Sequence, residues 1–116
     1  MAKQSKPQGW TAKHCYARIS PRKVRLVTSL IANRRTGEAL DILRFTQKRA
    51  CEFVLKTLKS AMANADEQEA DMGRLVIREA RVDGGPTIKR WHPKDRGRAH
   101  PIKKRTCHIV ITVTQV

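Results

Sequence analysis

Hydrophobic and polar positions along the chain predict two helices in its first third. Ser20 followed by Pro21 is typical of a helix start, with serine as the N-cap and proline at the first helical position. Beyond this start, Val24, Val27 and Ile31 recur at helical spacing and are expected to face the core. Residues 33–37 break the pattern, and residues 38–43 are predicted to form a short second helix.

A third and longer helix is predicted over residues 47–66, with Thr46 as its candidate cap. Its apolar positions follow the i, i+3, i+4, i+7 rule and form a broad stripe made of Ala50, Phe53, Val54, Leu58, Ala61 and Ala65. A stripe of this width indicates core packing rather than a binding surface. The polar and acidic residues 68–73 are then expected to form a loop.

Three stretches are predicted to form β-strands: residues 11–19 alternate loosely, residues 75–83 are β-branched and extended in character, and residues 106–116 alternate clearly. The two sides of the first stretch are expected to carry Cys15, Ala17 and Ile19 and, opposite them, His14, Tyr16 and Arg18. The order β-α-α-α-β-β predicts an α+β domain, in which three helices cover one face of a small antiparallel three-stranded sheet.

Residues 84–105, between the last two strands, are predicted to form a long β-hairpin that protrudes from the sheet, because consecutive strands most often pair. About ten residues per arm at ~3.3 Å each would extend roughly 30 Å. Pro93 and Gly97 suit a turn at the far end, and residues 84–86 are interpreted as a turn at the start. Pro86 and Pro101 fit a ribbon only if their nitrogens face outward. A bare two-stranded ribbon is marginal in water, so a partner is expected to support it.

Positive charge is concentrated at two places in this 116-residue chain, whose formal net charge is +15. Residues 1–25 have seven basic side chains and no acid, residues 86–105 have eight and one acid, and the sixty residues between are nearly neutral. Such dense like charge is typical of surfaces that bind polyanions, and arginine is favoured where phosphate is bound. Nucleic acid is therefore the expected partner. The candidate contacts are Lys13, Arg18, Arg22, Lys23, Arg25, Lys89, Arg90, Lys94, Arg96, Arg98, Lys103, Lys104 and Arg105.

Other classes of function lack the residues they need. Apolar runs never exceed three residues, so no segment is expected to span a membrane. Three widely spaced cysteines favour a reducing compartment. The pairs His14-Cys15 and Cys107-His108 fall on strands, where adjacent side chains point to opposite faces, so no zinc site is expected. Without a nucleophile–base pair or a glycine-rich phosphate loop, we expect no enzyme activity, cofactor or metal.

Several strings of the sequence resemble the bacterial form of the large-subunit ribosomal protein twenty-two family. They are Ser20-Pro21-Arg22-Lys23-Val24-Arg25, Glu38-Ala39-Leu40-Asp41-Ile42-Leu43, Lys59-Ser60-Ala61-Met62-Ala63-Asn64-Ala65, Val82-Asp83 with Gly85-Pro86, Lys89-Arg90, Pro93, Gly97-Arg98-Ala99, and Lys104-Arg105-Thr106 before His108-Ile109. The similarity covers about residues 12–114 without an obvious gap.

This resemblance implies a structural constituent of the large subunit of cytoplasmic ribosomes. The basic residues named above would bind large-subunit ribosomal RNA, and the protein would support assembly and contact neighbouring ribosomal proteins. The hairpin, by analogy residues 80–112, would reach the wall of the nascent-peptide exit tunnel. Its tip would lie near the nascent polypeptide and macrolide antibiotics, and the matching tip residues are Ile88, Lys89, Arg90, Trp91, His92 and Pro93.

The chain is accordingly expected to be a single domain over residues 1–116. Residues 1–10 would be a flexible basic arm, residues 11–83 and 106–116 the globular core, and residues 84–105 an extended basic hairpin. No homo-oligomer and no membrane contact are expected. The alternative is a DNA-bending architectural protein, since such proteins also use basic β-arms, but they need an obligate dimer body. An RNA-modifying enzyme would need a cofactor loop or a paired acid and base.

Overall fold

A computed structural model describes residues 9–94 and 96–116, apart from the side chain of Lys94. Its helices and strands in chain order are β1 (Gly9–Ala17), α1 (Pro21–Ile31), α2 (Thr36–Phe45), α3 (Ala50–Glu67), β2 (Leu75–Gly84), β3 (Ile88–Lys94), β4 (Arg98–Lys104) and β5 (Cys107–Gln115). Most of the predicted basic arm, with Lys3 and Lys6, lies outside the described residues. So does Asp95, the acid of the predicted hairpin tip.

Strands β1, β5 and β2 form an antiparallel sheet in that order, so the last strand of the chain is the central one. Ile109, Ile111 and Val113 of β5 are fully buried on the face that meets the helices. Helices α1 and α3 pack on this face, with Val24, Val27 and Ile31 of α1 completely buried. The predicted α+β class and the apolar stripes of α1 and α3 are therefore confirmed. In the described part of the chain, no helix is long and apolar enough to cross a membrane.

The boundary between α2 and α3 differs from the prediction. Helix α2 runs from Thr36 to Phe45, and α3 begins at Ala50 instead of residue 47. Thr46, the predicted cap of α3, instead ends α2, because its backbone N–H and its hydroxyl both donate to the carbonyl of Ile42, at 3.0 and 2.7 Å. The side chain at the start of α2 makes no capping hydrogen bond, and neither does the one at the start of α3.

Strand β1 contains a bulge that the sequence pattern did not predict. The register against β5 shifts between His14 and Ala17, so Cys15 and Tyr16 form the irregular part. Ala17 and Ile19 are buried as expected, but Cys15 is exposed and does not share their side. The prediction of one continuous alternation over residues 11–19 is therefore wrong at Cys15 and Tyr16, because an extra residue changes the phase of a strand.

The predicted hairpin is present as the β3–β4 ribbon, which pairs from Ile88 with Lys104 to Lys94 with Arg98. It gives the molecule an elongated form of 70 × 38 × 21 Å. Residues 84–86 are not a turn, because Gly84 ends β2 and the chain runs on into β3. Pro86 precedes the ribbon rather than lying in it. Pro93, predicted at the far turn, lies within β3 instead, while Gly97 is in the turn. Pro93 pairs with Ala99 and Pro101 pairs with Trp91, two positions apart along the ribbon, so both proline nitrogens can face away from the partner strand.

Candidate nucleic-acid interface

A cleft of about 620 Å³ opens where α1, the start of α3 and the base of the β3–β4 ribbon meet. Seven of its lining residues are basic and none is acidic, and we call it the basic cleft: Arg18, Ile19, Ser20, Arg22, Lys23, Arg49, Ile88, Lys103, Lys104, Arg105 and Thr106. Four stretches that are far apart in sequence thus contribute to one concave surface. Clefts lined by one sign of charge focus the electrostatic potential and attract the opposite charge.

The N-terminus of α1 opens into the basic cleft. Ser20 has the extended backbone of an N-cap, but its side chain makes no capping hydrogen bond, and no acid lies in the first turn. Arg22 and Lys23 instead add positive charge to the positive end of the helix dipole. Each such cation costs roughly a few tenths of a kcal/mol without a compensating anion. The arrangement suits an anion bound from outside the protein.

Arg49 is the cleft residue that sequence reasoning missed. It lies at the start of α3, and its guanidinium donates to the carbonyl of Arg18 at 3.3 Å and lies 5.6 Å from the centre of the Phe53 ring. These contacts hold its charge beside the residues that precede α1. The charge pattern does not single out Arg49, because this residue belongs to the nearly neutral middle of the chain. Only the fold brings it to the cleft.

The base of the ribbon is fixed to the sheet by two hydrogen bonds. The N–H of Gly85 donates to the carbonyl of Thr106 at 2.9 Å, and the Thr106 hydroxyl donates to the carbonyl of Pro86 at 2.6 Å. Thr106 is buried although the residues just before it are exposed. The junction therefore sets the direction in which Lys103, Lys104 and Arg105 line the basic cleft.

Beyond this junction the ribbon buries very little. Every side chain of β4 is exposed, and so is that of Trp91, at 69%. The register places Lys89 opposite Lys103 and His92 opposite His100. The like charges of Lys89 and Lys103 destabilise their pair, and no described side chain of β3 or β4 is buried to offset this loss. Trp91 lies opposite Pro101 and joins no core.

The other predicted contact residues are distributed away from the cleft. Lys89, Arg90, Arg96 and Arg98 lie farther along the ribbon and are exposed, while Lys94 is in β3 and its side chain is outside the described structure. Lys13 lies on β1, opposite Val110. Arg25 is exposed, but its guanidinium donates to the carbonyl of Val82 at 3.0 Å. Part of its hydrogen-bonding capacity is thereby used within the fold.

Among the residues that the structure describes, no acidic side chain forms an ion pair with a cleft cation. Within the described ranges, the ion pairs are those of Arg81 with Glu79 and with Asp83, both 3.2 Å, on β2. No group of three or more histidine, cysteine or acidic side chains suited to a metal occurs in the same ranges. His14 packs edge-on against Phe53, and Nδ1 of His108 accepts the backbone N–H of Tyr16. The geometry therefore favours an anionic partner along the cleft and ribbon.

Comparison with known proteins identifies the relatives of this chain. The family described as ribosomal protein L22p/L17e matches residues 12–114. Large ribosomal subunit protein uL22 of Microcystis aeruginosa is 50% identical over 99 residues, which cover 84% of this chain and 83% of that protein. Its namesake in Desulfitobacterium hafniense is 50% identical over 101 residues, which cover 86% and 89%. The chain therefore belongs to the ribosomal protein L22p/L17e family, as a structural component of the large ribosomal subunit and not an enzyme.

Proposed function

We propose that this protein binds large-subunit ribosomal RNA with its basic cleft and ribbon, and that the ribbon lines the nascent-peptide exit tunnel. The observation that carries the proposal is the basic cleft itself, in which seven cations and no acid surround an uncapped helix N-terminus. RNA phosphates compensate both the cations and the helix dipole. Family membership argues against the DNA-bending alternative.

The contact residues follow from this arrangement. Cleft and ribbon together give Arg18, Arg22, Lys23, Arg49, Lys89, Arg90, Lys94, Arg96, Arg98, Lys103, Lys104 and Arg105, with Lys13 and Arg25 at the margins. Such contacts to phosphate position the protein and read no sequence directly. They also bring separate RNA segments to opposite walls of one cleft, which is how the protein would support subunit assembly.

The ribbon supports the second half of the proposal. A thin, cationic, solvent-exposed hairpin is marginal alone, and an RNA passage supplies both the walls and the negative charge it lacks. By resemblance to the family, the tip residues Ile88, Lys89, Arg90, Trp91, His92 and Pro93 then face the tunnel. There they would meet the nascent polypeptide and macrolide antibiotics, while the body contacts neighbouring ribosomal proteins as a monomer.

A salt-dependence experiment tests RNA binding by the cleft. A variant with Lys103→Gln, Lys104→Gln and Arg105→Gln removes three cleft cations. A control with Lys56→Gln, Lys59→Gln and Arg74→Gln removes three exposed cations that do not line the cleft, so the net charge is the same. Binding of bacterial large-subunit ribosomal RNA is measured by filter retention across a range of salt concentrations.

The slope of log affinity against log salt should fall by about two to three for the cleft variant, because each phosphate contact contributes roughly 0.7 to 0.9. The control variant should keep nearly the slope of the unmodified protein. Equal losses in the two variants would mean that net charge alone, and not the basic cleft, governs binding.

A further inference from the structure

The bulge in β1 turns one aromatic side chain away from the core. Ala12 and His14 face α3, Ala12 being buried and His14 packing on Phe53. Simple alternation would send Tyr16 to the same side. The register shift instead lets Ala17 take the core position, at 1% exposure, and leaves Tyr16 65% exposed.

The ring of Tyr16 is held in a defined place on the open face of the sheet. It meets the His108 ring edge-on, with centroids 4.9 Å apart and planes at 88°. The backbone N–H of Tyr16 donates to Nδ1 of the same imidazole at 3.0 Å. His108 is on β5 between the fully buried Cys107 and Ile109, so it points away from the helices. One residue thus fixes both the backbone and the ring of Tyr16.

This arrangement strains the backbone at Tyr16. Tyr16 has a φ of 58°, in the left-handed region where a bulky side chain is strained. The core gains only Ala17 from the bulge, while a large aromatic ring remains in solvent. Strained residues that persist in a fold concentrate at binding sites, and bulges frequently re-aim a side chain towards such a site.

Tyr16 and His108 are both close in sequence to residues that line the basic cleft. Arg18 lies two residues after Tyr16, and Arg105 lies three residues before His108, and both line the cleft. At ~3.3 Å per residue or less, the backbone of Tyr16 lies within about 7 Å of that of Arg18, and the backbone of His108 lies within about 10 Å of that of Arg105.

We infer that Tyr16, braced by His108, is a stacking platform for one unpaired nucleobase of the ribosomal RNA bound in the basic cleft. The inference rests on the proposed function. Phosphate contacts alone do not use an aromatic face, whereas a base splayed from a single-stranded loop stacks on one. A face of the Tyr16 ring is the receiving surface, since His108 in an edge-to-face contact covers at most one of the two faces and the side chain is 65% exposed.

The test uses the full chain and bacterial large-subunit ribosomal RNA, with filter retention and ultraviolet crosslinking followed by peptide mapping. Tyr16→Leu removes the aromatic face, and Tyr16→Asn does so with a residue that tolerates a left-handed backbone. Tyr16→Phe keeps the ring. Phe45→Leu removes an aromatic side chain that is 85% exposed and does not line the cleft. Circular dichroism melting of every variant verifies that it is folded.

Tyr16→Leu and Tyr16→Asn should each weaken binding at least about fivefold, the loss expected for one base–aromatic stack, with the salt slope unchanged. Tyr16→Phe should restore the affinity, Phe45→Leu should match the unmodified protein, and the crosslinked peptide should contain Tyr16. Normal affinity of folded Tyr16→Asn, together with a weakened cleft variant, overturns the platform and leaves the proposed function standing. If the measurement is repeated with other large-subunit ribosomal proteins added and a defect appears only then, the platform is also overturned, in favour of a protein partner. Absence of salt-dependent binding by the unmodified protein overturns the proposed function itself.

Discussion

At the scale of single residues, Gly85 is required by close approach and not by backbone conformation. A Cβ at this position would lie 2.5 Å from the Thr106 hydroxyl oxygen and 3.2 Å from its carbonyl carbon. Gly85→Ala should therefore push apart the two chain segments that meet at the base of the ribbon, and lower the free energy of unfolding by about 1–3 kcal/mol. Urea unfolding measures the change. Gly84→Ala is the matched control, since its Cβ would meet nothing within 4 Å, and equal losses would contradict the explanation.

The buried thiol of Cys107 should make the stability of the fold depend on pH. Burial raises the pKa of the Cys107 thiol, and the nearby Arg25 guanidinium acts in the opposite direction. The folded state therefore disfavours ionisation of the Cys107 thiol. Once the pH exceeds the pKa of a cysteine in the unfolded chain, about 8.5, unfolding releases a proton from this thiol. Stability is unaffected by this group at lower pH and falls above it, by at most about 1.4 kcal/mol per pH unit.

This loss can be assigned to one residue by comparing the protein with its Cys107→Ala variant in urea between pH 7.5 and 9.5. The stability advantage of the unmodified protein should shrink as the pH rises through that range. Cys15→Ala provides the control, because Cys15 is exposed. A constant difference between the protein and Cys107→Ala would show that the thiol ionises equally well in both states.

At the scale of elements, the sequence predicts those features that depend on residues close together in the chain. The Ser20-Pro21 start of α1 and the buried stripe of α3 follow from cap chemistry and helical spacing. The sequence could not place the start of α3, because a threonine at position 46 could either end α2 or begin α3. The hydrogen bonds from Thr46 to the carbonyl of Ile42 show that it ends α2. The bulge in β1 was equally hidden, since its register depends on β5, some ninety residues later.

The candidate site was predicted in its charge and not in its shape. Counting cations located the two basic segments and hence Arg22, Lys23 and the end of β4, which the fold brings together in one cleft. The same count could not distinguish Arg25, whose guanidinium is turned to the Val82 carbonyl, or include Arg49, which comes from a neutral segment. Residues from distant parts of the chain form the cleft through tertiary contacts, and the distribution of charge along the sequence does not reveal those contacts.

At the scale of the whole molecule, two parts with different sources of stability share one chain. The body has a core of fully buried side chains on both the sheet and the helices, whereas β3 and β4 pair with each other in a separate two-stranded sheet. In that ribbon, Lys89 faces Lys103, and every side chain of β4 is exposed. Local unfolding should therefore open the ribbon at a small fraction of the free energy that unfolds the body.

Amide hydrogen exchange of the free protein, read residue by residue, tests this division. Amides of residues 89–92 and 98–100 should exchange close to the rate of an unstructured chain, while those of Ile109, Ile111 and Val113 exchange slowly in the same sample. Adding bacterial large-subunit ribosomal RNA should slow the ribbon amides and leave those of β5 nearly unchanged, because RNA supplies the anionic support that the ribbon lacks. Slow exchange of the ribbon without RNA would show that the β3–β4 pairing is stable by itself, and the charge argument for its RNA-dependent order would then fail.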